Sequence, residues 1–148
     1  MSDIDELYTD LIMEHSMHSP HKKELVGATC SSLGHNPSCG DKITLQAKIE
    51  DGKIVDLAFS GQGCAISQSS SSIMIETLKG KTIAEAKQII DIFIKMIKRE
   101  NISKEDKKLL KNARVFESIA NMPSRAKCAT LSWHTLQDIL EQPNQHNT

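Results

Sequence analysis

The chain is poor in aromatic residues: three Phe, one Trp and one Tyr, 3% of 148 residues. So few flat rings leave no stacking platform for single-stranded nucleic acid. A cationic excess is missing too. Eighteen Lys and Arg stand against 19 Asp and Glu, for a formal net charge of −1. That balance excludes a general binder of phosphate backbones or anionic membrane surfaces. No apolar run approaches the roughly 18 residues of a membrane span. The first residues, Met1 to Glu6, are acidic and lack the basic and apolar regions of a secretory leader. The expectation is a cytoplasmic protein with no nucleic-acid or membrane partner. No internal repeat and no second domain is evident, so 1–148 is expected to be one domain, with monomer as its default state. Disulfides are not expected in a reducing compartment, where four cysteines serve as thiols or metal ligands.

What is present is patterned. Ile4, Leu7, Tyr8, Leu11 and Ile12 fall at helical spacing behind a Ser2/Asp5 capping pair. From His15 to Asn36 the period is lost, apart from a short strand expected near 26–31. Ile43, Leu45, Ala47 and Ile49 then alternate with polar residues, and Val55, Leu57 and Phe59 resume after Asp51-Gly52. A plain two-residue turn would set Ile49 against Ile54 and put the second apolar row on the wrong face. Pairing Leu45 with Phe59 and Ala47 with Leu57 needs an odd-length connection, such as a three-residue loop with a bulge. Gly61-Gln62-Gly63 ends this hairpin. A helix over 65–79 follows, closed by Gly80, in which Ser69 to Ser72 allow close packing on the sheet. Thr82 and Glu85 form a capping box before the stripe Ile83, Ala86, Ile90, Phe93 and Ile97, in a helix that ends near Arg99. Residues 100–111 read as a solvated helical hairpin or loop. A short helix over 113–120 is stopped by Pro123, and Ser124 caps a last helix over 125–141 with Ala129, Leu136 and Leu140 inward. The polar tail 142–148 is expected to be disordered.

The cysteines, Cys30, Cys39, Cys64 and Cys128, match no zinc-finger spacing. The hairpin register is more informative. Extended past the strands, it sets Cys39 beside Cys64 and Asp41 opposite Gly63. Cys64 also stands where a glycine turn enters a helix, where unpaired N–H groups and the helix dipole favour a thiolate. Cys128, in the first turn of the last helix, is expected to gain the same help. Three thiolates and a carboxylate suit tetrahedral Zn²⁺, Cu(I) or an iron–sulfur cluster, and disfavour Mg²⁺ or Ca²⁺. Buried cysteines filling a core are the alternative, and spacing alone leaves both open. Cys30 stands outside the hairpin logic and reads as an inert thiol.

Three segments carry a family resemblance: Asn36-Pro37-Ser38-Cys39-Gly40-Asp41, Gly61-Gln62-Gly63-Cys64-Ala65-Ile66-Ser67 and Arg125-Ala126-Lys127-Cys128-Ala129-Thr130-Leu131-Ser132-Trp133. They closely resemble SufU proteins, of the IscU-like group in iron–sulfur cluster assembly. The resemblance extends over nearly the whole chain, including Ile12-Met13-Glu14-His15 and Pro20. It implies an α+β fold, a small antiparallel sheet of about three strands with helices packed on one face. It carries Cys39, Asp41, Cys64 and Cys128 onto metal-site positions and leaves Cys30 out. It also implies a PLP-dependent cysteine desulfurase as partner, Cys39 as the acceptor of its persulfide sulfur, and delivery to a downstream cluster-assembly scaffold.

Within that resemblance, a zinc-dependent sulfurtransferase-like carrier competes with a scaffold that assembles a [2Fe–2S] cluster. Scaffolds usually place His before the last cysteine, where this chain has Lys127. Their Leu-Pro-Pro-Val-Lys motif is replaced by Met122-Pro123-Ser124-Arg125-Ala126-Lys127, and residues 99–120 look like a SufU-type insertion. All three departures favour the carrier. A structural zinc module is the third reading. Arg125 matches the family motif and is a candidate accessory residue. His15, His18 and His21 have a spacing that suits a metal, although loop histidines near Pro20 more often face solvent. Trp133 is expected in the core.

Overall fold

The computed structural model describes residues 3–38 and 40–141, with side-chain burial from Asp10 onward. The Ser2/Asp5 cap, the side chains of Ile4, Leu7 and Tyr8, the tail 142–148 and Cys39 lie outside the described residues. Helix α1 (Asp3–Met17) leads into three antiparallel strands, β1 (Cys30–Asn36), β2 (Asp41–Glu50) and β3 (Lys53–Gln62), in the order β1-β2-β3. Helices α2 (Ala65–Leu78), α3 (Ile83–Ile97) and α4 (Lys104–Leu109), a 3₁₀ helix (Lys111–Asn121) and helix α5 (Pro123–Leu140) complete the chain.

Alternation on β2 buries Ile43, Leu45, Ala47 and Ile49 on one face. Against them β1 sets Cys30, Ser32 and Gly34, and β3 sets Leu57 and Phe59. Helix α5 lies on this face: a Cβ added to Gly34 would collide with Thr135 and Leu131. The expected fold, helices on one face of a three-stranded sheet, is the fold found. Only the helix-side rows of β2 and β3 are apolar enough to be recognised as strands. The inward residues of β1 are Cys, Ser, Gly and Asn, while Leu33 points out and is exposed. That inversion is why the strand lies at 30–36 and not near 26–31.

The β2–β3 register pairs Leu45 with Phe59 and Ala47 with Leu57, as expected. The extra residue is elsewhere than expected. Asp51 and Gly52, with φ of 53° and 73°, form a tight two-residue turn, and Ile49 does face Ile54. The pairing then shifts between Lys48 and Ile49, so Val55 bulges out of β3 and the apolar rows realign beyond it.

Helix α2 is the buried centre of the helical layer, with Ser69 to Ser72 fully shielded from solvent. As an element, α2 packs on β3 of the sheet and more extensively against α1 and α5. Each of these serines has a partner. Ser69 Oγ donates to Ile66 O (3.2 Å), Ser70 Oγ to Ala129 O (2.5 Å) and Ser71 Oγ to Ser67 O (2.8 Å), while Ser71 Oγ also meets Ser132 Oγ. Ser72 Oγ meets His15 Nδ1 (2.8 Å). Ser70 also accepts from the Trp133 indole (2.9 Å), while Phe93 stacks on that ring with centroids 3.9 Å apart. Trp133 is a core residue, as expected.

The Thr82/Glu85 capping box is formed, with both hydrogen bonds at 3.1 Å. Within 100–111, α4 forms and buries none of its residues. The short helix is a 3₁₀ helix that ends at Asn121, just before Pro123 as expected, and Pro123 then opens α5 at its first turn, where a missing N–H costs nothing. Ser124 therefore sits inside the helix, and Met122 takes the cap position.

Candidate metal centre

The inward parity of β2 runs Ile49, Ala47, Leu45, Ile43 and ends on Asp41. That of β1 runs Cys30, Ser32, Gly34 and ends on Asn36. Asn36 and Asp41 are the last pair of the ladder, so both point toward the helical layer. Both are buried, Asp41 completely. A carboxylate there is costly without partners. Asp41 Oδ1 accepts from the Cys64 backbone N–H (2.9 Å), and Oδ2 faces the Asn36 amide nitrogen (3.5 Å).

Cys64 is the N-cap of α2, and its Sγ accepts from Ser67 N–H at 3.4 Å. This is the environment expected of it, at the positive end of a helix. Cys64 is half-buried, the one partly open side of the described set. Gly63 makes the approach feasible: an added Cβ would stand 2.8 Å from Asp41 Oδ1 and collide with Ser67 Oγ.

Cys128 closes the group from α5 and is buried at 2% exposure. Its setting differs from expectation. Because α5 starts at Pro123, Cys128 stands in the second turn, beyond the unpaired N–H groups of the helix end. Its sulfur donates to Ser124 O (3.5 Å) and accepts from Asn36 Nδ2 (3.7 Å). Ligand atoms from Asp41, Cys64 and Cys128 all lie within 4.8 Å of one another. Two sulfurs and a carboxylate oxygen so gathered fit a soft or borderline tetrahedral ion such as Zn²⁺. Three of the four residues expected at the centre are thus brought together. The fourth, Cys39, lies outside the described residues, between exposed Ser38 and Gly40, whose φ is 72°.

Cys30 is excluded by position. It pairs with Ala47, six residues along β2 from Asp41, or roughly 20 Å at strand rise. Arg125 is exposed in the first turn of α5. The histidines are not a solvated loop cluster. His15 is buried, with Nε2 3.6 Å from Glu76, while His21 Nε2 lies 3.2 Å from the same carboxylate. His18 is exposed. These contacts tie α1 and the following segment to α2. The residue that sequence inspection passed over is Asn36. It stands in the first motif, and continuing the β1 parity would have turned it inward.

Comparison with known proteins places this architecture. The NifU-like N terminal domain model matches residues 7–129. A protein of Thermotoga maritima named iron–sulfur cluster assembly scaffold protein IscU is 38% identical over 92% of this chain and 94% of its own.

The chain belongs to the IscU/SufU family.

A second family member, named zinc-dependent sulfurtransferase SufU, from Bacillus subtilis, is 34% identical over 92% of this chain and 90% of its own. A crystal structure from Fervidobacterium islandicum, described as a cluster assembly scaffold protein for the SUF system, superposes with a TM-score of 0.85 at 34% identity. It covers 92% of this chain and 98% of the other. The IscU/SufU fold therefore extends through the centre described above. Among the described residues, no helix is long and apolar enough to cross a membrane.

Proposed function

We propose that this IscU/SufU family member is a zinc-dependent sulfur acceptor in iron–sulfur cluster assembly. It takes persulfide sulfur from a PLP-dependent cysteine desulfurase and yields it to a downstream cluster-assembly scaffold. One observation carries the reading: a buried Asp41–Cys64–Cys128 donor set beside the motif turn whose cysteine is Cys39.

Asp41, Cys64, Cys128 and Cys39 would hold zinc, which supplies positive charge that keeps thiols deprotonated at neutral pH without redox chemistry. With three thiolates the ligand charge sums to −4, so the bare centre repels itself. The residues divide the work. Asp41 is aimed by the Cys64 N–H, and the Cys64 sulfur is oriented by the Ser67 N–H it accepts from at the start of α2. Cys128 stands on the floor. Cys39, whose sequence neighbours Ser38 and Gly40 are exposed, supplies the nucleophile. Its thiolate attacks the outer sulfur of the desulfurase persulfide. A new S–S bond forms on Cys39, the donor's S–S bond breaks, and the desulfurase cysteine leaves as thiolate. Nothing is oxidised or reduced overall. Exposed Arg125 is suited to steering the anionic persulfide.

The scaffold reading has a specific support, the 38% identity to a protein named as a scaffold. Lys127 in place of His before the last cysteine weighs against it. The deciding experiment measures desulfurase turnover with and without this protein, and with Cys39→Ala, with zinc content determined for each. The carrier reading expects stimulation by the wild type, loss of it in the variant, and extra sulfur on Cys39 by peptide mass spectrometry. Sulfur on Cys64 or Cys128 alone rejects Cys39. A stable, transferable cluster after reconstitution decides for the scaffold. Zinc binding with no effect on turnover leaves a structural zinc module.

A further inference from the structure

Asn36 touches two members of the donor set at once. Its side chain is buried, 7% exposed, at the last pair of the β1–β2 ladder. One amide nitrogen faces Asp41 Oδ2 (3.5 Å) and Cys128 Sγ (3.7 Å). These two donors come from segments 87 positions apart in the chain (41 to 128). We infer that Asn36 is a positioning residue of the metal centre: its amide holds the Asp41 carboxylate and the Cys128 sulfur in register before any ion arrives. The inference rests on the metal reading proposed above, and concerns how that centre is held.

The physical case has four parts. Asp41 Oδ1 is already engaged by the Cys64 N–H, so the carboxylate is fixed on one side only; Asn36 fixes the other. The Asp41 carboxylate and the Cys128 sulfur turn lone pairs toward one another in a buried pocket, and an N–H dipole placed between them offsets part of their repulsion. Cys128 lies beyond the first turn of α5, so the helix end lends its sulfur little help; the Asn36 amide is a donor that can take its place. Amide donation also withdraws electron density from a thiolate, which lowers the energy of its lone pairs. Lastly, a centre whose Asp41, Cys64 and Cys128 are pre-set can keep its ion while Cys39 engages a persulfide.

The test uses the full-length protein with Asn36→Val, which keeps a strand-compatible side chain without a donor, and Asn36→Ser, which restores a shorter one. Zinc affinity is measured by competition with a chromophoric chelator, and the thiolate-to-metal charge-transfer band is measured on the cobalt(II)-substituted protein. In the Val variant zinc binding is expected to weaken by about 10–100-fold. The cobalt band is expected to move to longer wavelength, because the Cys128 sulfur loses its donor. The Ser variant is expected between Val and wild type in both. Circular dichroism matching wild type shows that the strand persists. A Val variant within threefold of wild-type affinity overturns the inference. So does weakened binding with an unmoved band, which is the mark of a packing role alone. A wild-type protein that binds no zinc removes the metal reading itself, a result distinct from either.

Discussion

At the residue scale the centre depends on one missing atom. Gly63 has no Cβ, and that vacancy lets the Asp41 carboxylate come within 2.9 Å of the Cys64 N–H. Gly63→Ala is expected to push Asp41 and Ser67 aside. Crowding of this kind costs about 1–3 kcal/mol. Urea denaturation should show that loss, and chelator competition should show weaker zinc binding in the same variant. An Ala variant equal to wild type in both would mean the carboxylate does not sit where it is described. The two thiolates are expected to differ. Cys64→Ser retains an N-capping oxygen for Ser67 N–H, so it should lose metal with little loss of helix stability. Cys128→Ser buries a hydroxyl in a nearly closed position and should lose both.

At the element scale, α2 shows how a serine run becomes a core helix. Its hydroxyls are short enough to let α1 and α5 approach, and each finds an acceptor or donor within reach. Ser70 is the one on which most depends, because it accepts from the buried Trp133 indole and donates to Ala129 O. Ser70→Ala strands the indole N–H and removes a second bond from Ala129 O, and a buried unsatisfied donor costs roughly 1–3 kcal/mol. Chemical denaturation should show it, whereas Ser69→Ala, whose hydroxyl bonds only within its own turn, should cost less.

Helix α3 makes a pH prediction. The Thr82 backbone N–H, and then the Thr82 side chain, hold the Glu85 carboxyl below its ordinary value of 4.5. A depressed carboxyl contributes stability that is present above its unfolded pKa and is lost as pH falls through the folded one. Glu85→Ala should therefore lower Tm at pH 7. The gap from wild type should narrow as the pH is taken below about 4.5. A gap independent of pH would separate Glu85 from the cap.

At the scale of the whole molecule, the sheet supplies Asp41 and Asn36, α2 supplies Cys64 and α5 supplies Cys128. A ligand that binds three elements in the folded state alone must stabilise their assembly. Zinc is expected to raise Tm and to saturate at one equivalent per chain, worth about 2.7 kcal/mol at a hundredfold excess over Kd. Chelation should reverse the gain, and Asp41→Ala should abolish it. Unchanged melting with and without zinc in differential scanning calorimetry would refute a centre that joins these elements.

Much of this was legible along the chain. Period-2 runs on β2 and β3, the Thr82/Glu85 cap and the stripe on α3 are local patterns set by backbone geometry, and each appears where expected. The Leu45–Phe59 register followed from burial of one face, since a one-residue slip exposes the whole row. That register brought Asp41 toward Gly63 before any coordinates. Three things needed the tertiary structure. β1 hides its inward face behind Cys, Ser, Gly and Asn, because α5 lies too close for larger side chains, so no apolar alternation marks it. The place of the extra residue, at Val55 and not in the loop, is set by how the two strands pair beyond the turn. Cys128 meets Asp41 and Cys64 only because α5 crosses the sheet at its Asp41 end. Local sequence determines which donors exist and which way each points from its own element; packing between elements decides whether they meet, because the distance between remote segments is set by the shared core and by no pattern within either one.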